Sequence, residues 1–261
     1  MDPLTADAVT AALMGRFGDP LRYFDAVGST NTIALEWAAD GAPEGAVVVA
    51  DHQTAGRGRW GRAWMSEPGG ALQFSLVLRP RLGLDRLGVL GLALGVASAE
   101  GIERATSLHT KLKWPNDVLV HGRKLVGILV ETRVTGARLD AAIAGIGINV
   151  NWTPDENATS VAAEMERLDL GEVPARAHLL AHVLAAIEDV YPLVEERASE
   201  IVARAEERSE FLGGEIVVRF SDGTTERGVA TRLLPDGALE VESDGVARAI
   251  EVAEVQQVRS A

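Results

Sequence analysis

The sequence predicts an α+β fold in two domains, a larger one over residues 1–212 and a small C-terminal barrel over residues 213–261. In the larger part, strand-like and helix-like runs occur without the regular βαβ alternation of a parallel sheet, which favours a mixed or antiparallel sheet flanked by helices. After residue 212 the chain changes to short alternating runs joined by Asp-Gly turns at 222–223, 236–237 and 244–245. Such a stretch of about 50 residues is typical of an SH3-like barrel.

Caps, breakers and periodicity place the elements of the larger domain. Thr5 is a cap for the first predicted helix, and Ser29 or Thr30 caps the second, which ends at Gly41 and Pro43. The predicted helices lie at 4–14, 31–40 and 84–105, with two or three more between 159 and 212. The predicted strands lie at 21–28, 45–54, 71–80, 109–120, 124–133 and 137–151.

Glycines interrupt the long apolar helix predicted at 84–105. Gly88, Gly91 and Gly95 lie close to one helical face, although each glycine costs a helix about 1 kcal/mol. Their presence indicates that another backbone packs closely against this face, and we expect that backbone to belong to the sheet.

Composition narrows the classes of function. The chain carries 38 acidic residues against 25 lysines and arginines, and its formal charge of −13 disfavours nucleic-acid binding. It contains no cysteine, which excludes disulfides, thiol catalysis and Cys-ligated zinc. His178 and His182 lack the neighbours of a metal motif, so a solvated or core-edge position is favoured. There is no signal-peptide pattern and no apolar run of bilayer length, so we expect a cytoplasmic protein without membrane association.

The stretch AGRGRWGR at 55–62 has the glycine spacing of a dinucleotide-binding turn. That turn needs a helix to begin within the motif, whereas Pro68 and a glycine pair follow here and lead into a strand. Glycines let a backbone approach a ligand and let a loop open and shut, and side chains such as Arg57 and Arg59 hold carboxylate or phosphate oxygens. A mobile cationic loop, with Trp64 in its lid surface, is therefore favoured over a solvated turn.

A second cluster follows from the segment KWPNDVLVHGRK at 113–124. Lys113 ends an extended segment, because the residue before a proline avoids helical geometry. The short HGR turn predicts a hairpin that brings Lys124, across the two strands, within a few residues of Asn116 and Asp117. Two ammonium groups, an amide and a carboxylate can bind a phosphate, a metal and an acyl oxygen, although charged hairpins also serve solubility alone.

The strand GIGINVN at 145–151 carries alternating glycines. Gly145 and Gly147 point to one face and leave room for a flat group, and Asn149 and Asn151 lie on that same face. A β-bulge is the structural alternative.

In this order, the clusters resemble the motifs of biotin protein ligases of the monofunctional type. The matching segments are GSTN at 28–31, HQTAGRGRWGRAW at 52–64, KWPND at 113–117, RKLVGILVE at 123–131 and GIGINVN at 145–151. The resemblance implies a catalytic domain like that of class II synthetases. It also implies a two-step reaction, in which biotin and Mg-ATP give biotinyl-5′-AMP and the biotinyl group passes to one lysine of a biotin carboxyl carrier domain.

The resemblance further implies roles by position. Biotin binding is implied for Ser29, Thr30, Asn31, Gln53, Arg57, Gly58, Arg59 and Lys124. Nucleotide binding is implied for Arg57, Arg59, Trp64, Asn116, Lys124, Gly147, Asn149 and Arg259. Catalysis is implied for Arg59, Lys113, Asp117 and Lys124. No protein metal ligand is assigned, and Mg²⁺ is expected to arrive with ATP.

Elementary chemistry agrees with these roles. The ureido ring of biotin is neutral and calls for hydroxyl and amide partners. Its carboxylate must attack the α-phosphorus of an anion, so cations have to offset the repulsion between like charges. The acceptor lysine, with an ordinary pKa of about 10.4, must lose a proton before it attacks. Asp117 is our candidate for receiving that proton.

Two other functions stay open on the sequence alone. A lipoate ligase of the same superfamily would use similar adenylate chemistry on an apolar dithiolane acid, for which Gln53 has less to bind. A non-catalytic sensor would bind biotin or the adenylate without transfer. Some biotin protein ligases add an N-terminal helix-turn-helix domain, but only about 20 residues precede the catalytic pattern, so we expect no DNA binding. We expect a monomer or a weak homodimer, since an edge strand can pair between chains.

Overall fold

The structure is a computed structural model that describes residues 4–136 and 138–261. Its larger part contains a seven-stranded sheet with the order β1-β2-β3-β7-β6-β5-β4. The strands are β1 (Leu21–Val27), β2 (Val47–Gln53), β3 (Ala71–Leu78), β4 (Lys111–Lys113), β5 (Asp117–Val120), β6 (Arg123–Thr135) and β7 (Arg138–Asn149). Strands β1 and β2 pair in parallel and the other neighbours antiparallel. The predicted α+β class with a mixed sheet is confirmed.

Helices cover both faces of this sheet. They are α1 (Ala6–Ala12), α2 (Thr30–Ala39), α3 (Leu87–Thr106), α4 (Val161–Leu168), α5 (Arg176–Val190), α6 (Leu193–Glu196) and α7 (Ala198–Glu207). The hydroxyl of Thr5 caps α1 by accepting from the N–H of Ala8 at 3.1 Å. Ser29 is the N-cap of α2. Four helices follow residue 159, where two or three were expected, because the non-helical backbone of Arg197 separates α6 from α7.

The sheet is buried on both faces, since its strands alternate between two apolar clusters. On β2, Val47 and Val49 join the large cluster that α3 and α5 complete, whereas Val48 joins the smaller cluster under α2. Phe74 on β3 likewise faces the large cluster, and Val77 faces the smaller one. The period-2 alternation of a strand thus fixes which residues meet which helix layer.

The C-terminal part forms a second, antiparallel sheet. Its strands are β8 (Glu215–Phe220), β9 (Thr225–Leu233), β10 (Leu239–Ser243), β11 (Val246–Ile250) and β12 (Val255–Ser260). They run in the order β11-β10-β9-β8-β12, so β11 and β12 are its edges. The five short strands expected from the Asp-Gly turns are present, and the first begins close to the expected boundary. The division of the chain at residues 212–213 into two domains stays a prediction.

Two glycines of α3 pack against other backbones: Gly88 against the turn between β9 and β10 of the C-terminal sheet, and Gly101 against α5. A Cβ added to Gly88 would lie 2.4 Å from the carbonyl oxygen of Asp236, and one added to Gly237 (φ +90°) would lie 2.3 Å from the carbonyl carbon of Gly88. The expectation that this closely packed backbone belongs to the central sheet was wrong for Gly88. Gly91 has open space around it, and Gly95 meets only the side chain of Leu112, at 3.5 Å.

One helical segment, Arg176–Glu196, is long and apolar enough to pass a length-and-composition test for a membrane span. This corrects the expectation that no run reaches that length. Within the structure 67% of the apolar window is buried, and buried core helices pass the same test, so the segment is weak evidence for a span.

A buried carboxylate joins α4 to the hairpin of β5 and β6. The side chain of Glu164 is 0% exposed. Its Oε1 accepts from the hydroxyl of Thr159 at 2.6 Å and from Arg123 at 2.5 Å. Its Oε2 accepts from Arg167 at 2.9 Å and lies 3.0 Å from Nδ1 of His121. Burial alone would raise the pKa of Glu164, but these hydrogen bonds and the charge of Arg123 outweigh it and lower the pKa to about 2.

Gly88→Ala is expected to lower the free energy of unfolding by about 1–3 kcal/mol, because the added methyl overlaps the backbone of residues 236–237. Gly91→Ala is the matched control on the same helix. It has open space, so the better helix propensity should raise stability by up to about 1 kcal/mol. Urea unfolding of the two variants measures the difference, and equal midpoints would contradict the contact.

Glu164→Gln is expected to flatten the acid side of the stability curve. Because the folded pKa of about 2 lies below the ordinary 4.5, the carboxylate stabilises the fold above pH 4.5, and this contribution disappears as the pH falls toward 2. The shift corresponds to about 3 kcal/mol at neutral pH. Urea unfolding of both proteins from pH 7 downward measures it. A stability difference that stays constant with pH would show that the carboxylate charge is not responsible.

Candidate active site

The predicted site residues converge on one cavity of about 190 Å³. Its walls come from the start of α2, the end of β2, the loop at 55–64, the hairpin of β5 and β6, strand β7 and the start of β12. The predicted residues that line it are Ser29, Thr30, Asn31, Gln53, Arg57, Gly58, Arg59, Trp64, Lys113, Asn116, Asp117, Lys124 and Gly147. The other two predicted residues, Asn149 and Arg259, are not among the lining residues.

One end of the cavity is built from neutral hydroxyl and amide groups. Oε1 of Gln53 accepts from the backbone N–H of Thr30 at 2.7 Å and from its hydroxyl at 3.1 Å. The amide nitrogen of Gln53 donates to Gln73 at 2.9 Å. The hydroxyl of Ser75 donates to the amide oxygen of Asn31 at 2.5 Å and lies 2.7 Å from the hydroxyl oxygen of Thr30. A network of this kind presents donors and acceptors without net charge.

Sequence reasoning missed Gln73 and Ser75, which are fully buried on β3. A signal for them exists in the sequence. They are the two polar residues of the strand ALQFSLVL, and their i, i+2 spacing places both on one face. Buried polar side chains need partners, so such a pair indicates a polar network on that face.

Arg57 is held by a carboxylate in this structure. Its guanidinium donates to both oxygens of Glu131, at 2.9 and 3.1 Å, and to the hydroxyl of Thr32 at 2.9 Å. The side-chain amide of Asn31 donates to the same carboxylate at 2.7 Å. Glu131 ends the segment RKLVGILVE and is a further residue that sequence reasoning did not assign to the site. It fixes the arginine beside α2.

Arg59 and Trp60 tie the glycine-rich loop to the C-terminal sheet. The guanidinium of Arg59 donates to the carbonyl oxygens of Val252 at 2.6 Å and Val255 at 2.8 Å, and contacts the amide oxygen of Asn116 at 3.4 Å. The indole N–H of Trp60 donates to the carbonyl of Val255 at 2.7 Å. Burial lowers the pKa of Arg59, against the opposing effect of the nearby carboxylate of residue 117.

The C-terminal sheet contributes a wall of the cavity through residues other than the predicted arginine. Gln256, Gln257 and Val258 line the cavity. Arg259, the next residue on β12, is exposed. Sequence reasoning expected a cation from this end of the chain, whereas the structure presents two amides and a valine.

The hairpin places opposite charges in contact, as the short turn predicted. Nζ of Lys124 donates to Oδ1 of Asp117 at 2.5 Å. The side-chain amide of Asn116 donates to the carbonyl of Ile128 at 2.9 Å. The lining residues include the cations Arg57, Arg59, Arg62, Lys113 and Lys124, and one carboxylate, that of Asp117. Arg57 is paired with Glu131, so four cations remain against one acid, which makes this part of the cavity suitable for a polyanion.

Glycines make room for a flat group over β6 and β7, and the indole of Trp64 lies there. A Cβ added to Gly147 would be 2.5 Å from its ring, and one added to Gly127 would be 2.8 Å away. Nζ of Lys124 lies 5.9 Å from the ring centroid. The indole N–H of Trp64 is buried without a hydrogen-bond partner among residues 4–136 and 138–261. Gly145 instead admits the amide of Asn31.

Asn149 lies behind the cavity. Its side-chain nitrogen donates to the carbonyl of Thr159 at 3.0 Å and contacts that of Lys124 at 3.4 Å. In the described part of the chain its Oδ1 is buried without a partner. The residue therefore holds the backbone of Lys124.

The described residues contain no group of three or more histidine, cysteine, aspartate or glutamate side chains that could hold a metal ion. Among the residues that line the cavity, Asp117 carries the one carboxylate.

Comparison with known proteins agrees with this geometry. Residues 23–149 match the model of the Biotin/lipoate A/B protein ligase family. The biotin–[acetyl-CoA-carboxylase] ligase of Mycobacterium tuberculosis is 32% identical over 269 residues, which cover 98% of this chain and 97% of that protein. The bifunctional ligase/repressor of Bacillus subtilis is 42% identical over 177 residues, which cover 67% of this chain but only 54% of that protein, about half its length.

The fold gives the same result. The biotin protein ligase from Aquifex aeolicus in complex with biotin and ATP superposes with a TM-score of 0.79 and 31% identity, over 93% of this chain and 100% of that chain. The Leishmania major enzyme in complex with biotinyl-5-AMP shares the fold, with a TM-score of 0.56 and 24% identity, over 89% of this chain and 99% of that one. By sequence and by fold, the chain belongs to the biotin protein ligases of the biotin/lipoate A/B protein ligase family.

Proposed function

We propose that the protein activates biotin with ATP to biotinyl-5′-AMP and transfers the biotinyl group to one lysine of a biotin carboxyl carrier domain. The observation that carries this proposal is the division of the cavity into a neutral, hydrogen-bonding end and a cationic end. Biotin has a neutral ureido ring at one end and a carboxylate at the other, and the nucleotide adds its phosphates beside that carboxylate. The Aquifex relative, solved with biotin and ATP, supports the same two ligands.

The neutral end favours biotin over lipoate. Thr30, Gln53 and Ser75 present hydroxyl and amide groups in a largely buried network. A ureido ring offers N–H donors and a carbonyl acceptor to such groups, whereas a dithiolane ring offers neither. Each buried polar group that loses water without gaining a partner costs about 1–3 kcal/mol. The site is therefore better matched to biotin.

The cationic end suits the first step. A carboxylate oxygen of biotin forms a bond to the α-phosphorus, and the bond from that phosphorus to the bridging oxygen of pyrophosphate breaks, with the electron pair leaving on pyrophosphate. The protein supplies position and charge, and no covalent intermediate on a side chain is needed. Lys113, Lys124 and Arg59 line this end and offset the repulsion between the two anions.

The second step requires an uncharged acceptor amine. Its nitrogen attacks the mixed-anhydride carbonyl, AMP leaves, and the amine loses a proton. Asp117 is the lining carboxylate and is our proposed proton acceptor. It now accepts a hydrogen bond from Lys124 at 2.5 Å. A phosphate that draws Lys124 away would free the carboxylate for this role.

Mg²⁺ is proposed to enter with ATP and to be held mainly by phosphate oxygens, with Asp117 as the protein carboxylate at that end. When bound, the ion would neutralise phosphate charge. The proposed partner is a biotin carboxyl carrier domain of a carboxylase, the acceptor class to which the name of the Mycobacterium relative points.

Incubation with ATP, a biotin carboxyl carrier domain and either biotin or lipoate separates the candidate functions. We expect the intact mass of the carrier to rise by one biotinyl group, because the neutral end matches the ureido ring. A carrier with its acceptor lysine changed to arginine is the control and should stay unmodified. A lipoyl adduct would instead show a lipoate ligase, and biotin binding without any adduct would show a sensor.

Lys124→Met is expected to slow adenylate formation about 100-fold or more, because a cation beside the reacting phosphate is lost. Lys111→Met changes an exposed lysine on β4 outside the cavity. It is the matched control, and its rate of adenylate formation should be unchanged.

Asp117→Asn is expected to slow transfer from preformed adenylate at least tenfold. Single-turnover assays separate the two steps. Slow adenylate formation with normal transfer in Asp117→Asn would refute the proposed proton acceptor.

A further inference from the structure

We infer that Glu164 is a positioning residue that acts on Lys124 through the segment at 157–160, which we call the strap. The carboxylate lies outside the cavity and outside every motif that carries the family resemblance. The inference rests on the proposed ligase function and adds to it a residue that sets the geometry of the cationic end.

The strap binds both backbone groups of Lys124. The N–H of Lys124 donates to the carbonyl of Asn157 at 2.9 Å, and the carbonyl of Lys124 accepts from the N–H of Thr159 at 2.8 Å. These two bonds form a parallel bridge between Lys124 and Ala158. The side chain of Asn149 bridges the same carbonyl to that of Thr159. The start of β6 is therefore fixed by the strap at the residue whose ammonium group lines the cavity.

Glu164 locks the strap in this place with a single oxygen. Oε1 accepts from the hydroxyl of Thr159, on the strap, and from the guanidinium of Arg123, which precedes Lys124 on β6. The side chain of Glu164 and the whole of Thr159 are 0% exposed, so water does not compete for the bond between them. Arg167 and His121 hold the other oxygen and fix the carboxylate itself.

The position of this backbone matters because the lysine side chain is long and flexible. Four carbons separate Cα from Nζ, and holding Nζ at a phosphate costs side-chain entropy that a fixed backbone limits. A displacement of about 1 Å at a reacting group can slow a reaction on the order of 100-fold. The neutral end is built from α2, β2 and β3, none of which Glu164 contacts through the bonds described above. Loss of the carboxylate should therefore affect adenylate formation and spare recognition of the biotin ring.

Glu164→Gln tests this inference, with Glu188→Gln as the matched control. Like Glu164, Glu188 on α5 is a carboxylate that accepts several hydrogen bonds. The backbone N–H of Arg16 donates to it at 2.7 Å, the guanidinium of Arg16 at 2.9 Å and the backbone N–H of Phe17 at 3.1 Å. It lies away from the cavity lining. We expect Glu164→Gln to lower kcat for biotin-dependent ATP–pyrophosphate exchange about tenfold and to change the Kd of biotin less than twofold. Glu188→Gln should leave both unchanged.

A double-mutant cycle shows whether the effect passes through Lys124. In a Lys124→Met background, Glu164→Gln should lower the exchange rate no further, because the group that it positions is already gone. A merely structural carboxylate would lower the rate by the same factor in both backgrounds. That additive result, or a wild-type rate in the single variant, would overturn the inference.

Amide hydrogen exchange supplies a readout that does not depend on activity. In Glu164→Gln the amides of Lys124 and Thr159 should exchange at least tenfold faster, with β3 and β7 unchanged. Unchanged protection of these two amides would refute the inference that Glu164 fixes Lys124 through the strap. If Glu164→Gln does not fold, Thr159→Val removes one bond to the carboxylate and should shift the same readouts in the same direction by a smaller factor. If the wild-type protein showed no ATP–pyrophosphate exchange, the ligase proposal would be refuted. The amide hydrogen-exchange test of Glu164 would still be valid.

Discussion

The close packing of side chains onto glycines of the central sheet is the constraint on which the rest of the site depends. Strands β6 and β7 pair through Gly127 and Gly147, and both lack the side chain that would fill the space above them. The indole of Trp64 lies on this bare patch, and the amide of Asn31 lies on Gly145 next to it. A residue with a Cβ at these positions would push both groups off the sheet. The cavity thus exists because the sheet surface is locally flat.

Charge is distributed around this flat patch so that the two ends do not interfere. The neutral network of Thr30, Gln53 and Ser75 lies at one end, and the Lys124–Asp117 pair lies at the other. Arg57 is neutralised by Glu131 beside α2. An acidic chain of net charge −13 therefore keeps a cationic pocket by grouping its basic residues there.

Much of the fold followed from local patterns, and most of the predicted site residues line one cavity. The hairpin contact between Lys124 and Asp117 could be predicted because a short turn keeps the two strands close together. In the register itself, Lys124 pairs with Leu119 and Asp117 with Gly127. Contacts across long sequence separations could not. The bonds from Arg59 to residues 252 and 255 join segments almost 200 positions apart, and no periodicity encodes them. The predicted nucleotide contact of Arg259 rested on its position near the chain end, whereas neighbouring residues of β12 line the cavity.

The junction between Gly88 and Gly237 limits how this chain can be recombined with its relatives. Two backbones touch there with no side chain between them, and the loop that carries Arg59 is anchored to the same sheet a short distance away. A chimera that takes the C-terminal sheet from another protein must therefore import a turn that presents backbone alone to α3. It must also place two backbone carbonyl oxygens within hydrogen-bond distance of the guanidinium of Arg59. The larger part of the chain and the C-terminal sheet therefore constrain each other through contacts of main-chain atoms. Such contacts are difficult to recognise from the sequence, because most residue types supply the same main-chain atoms.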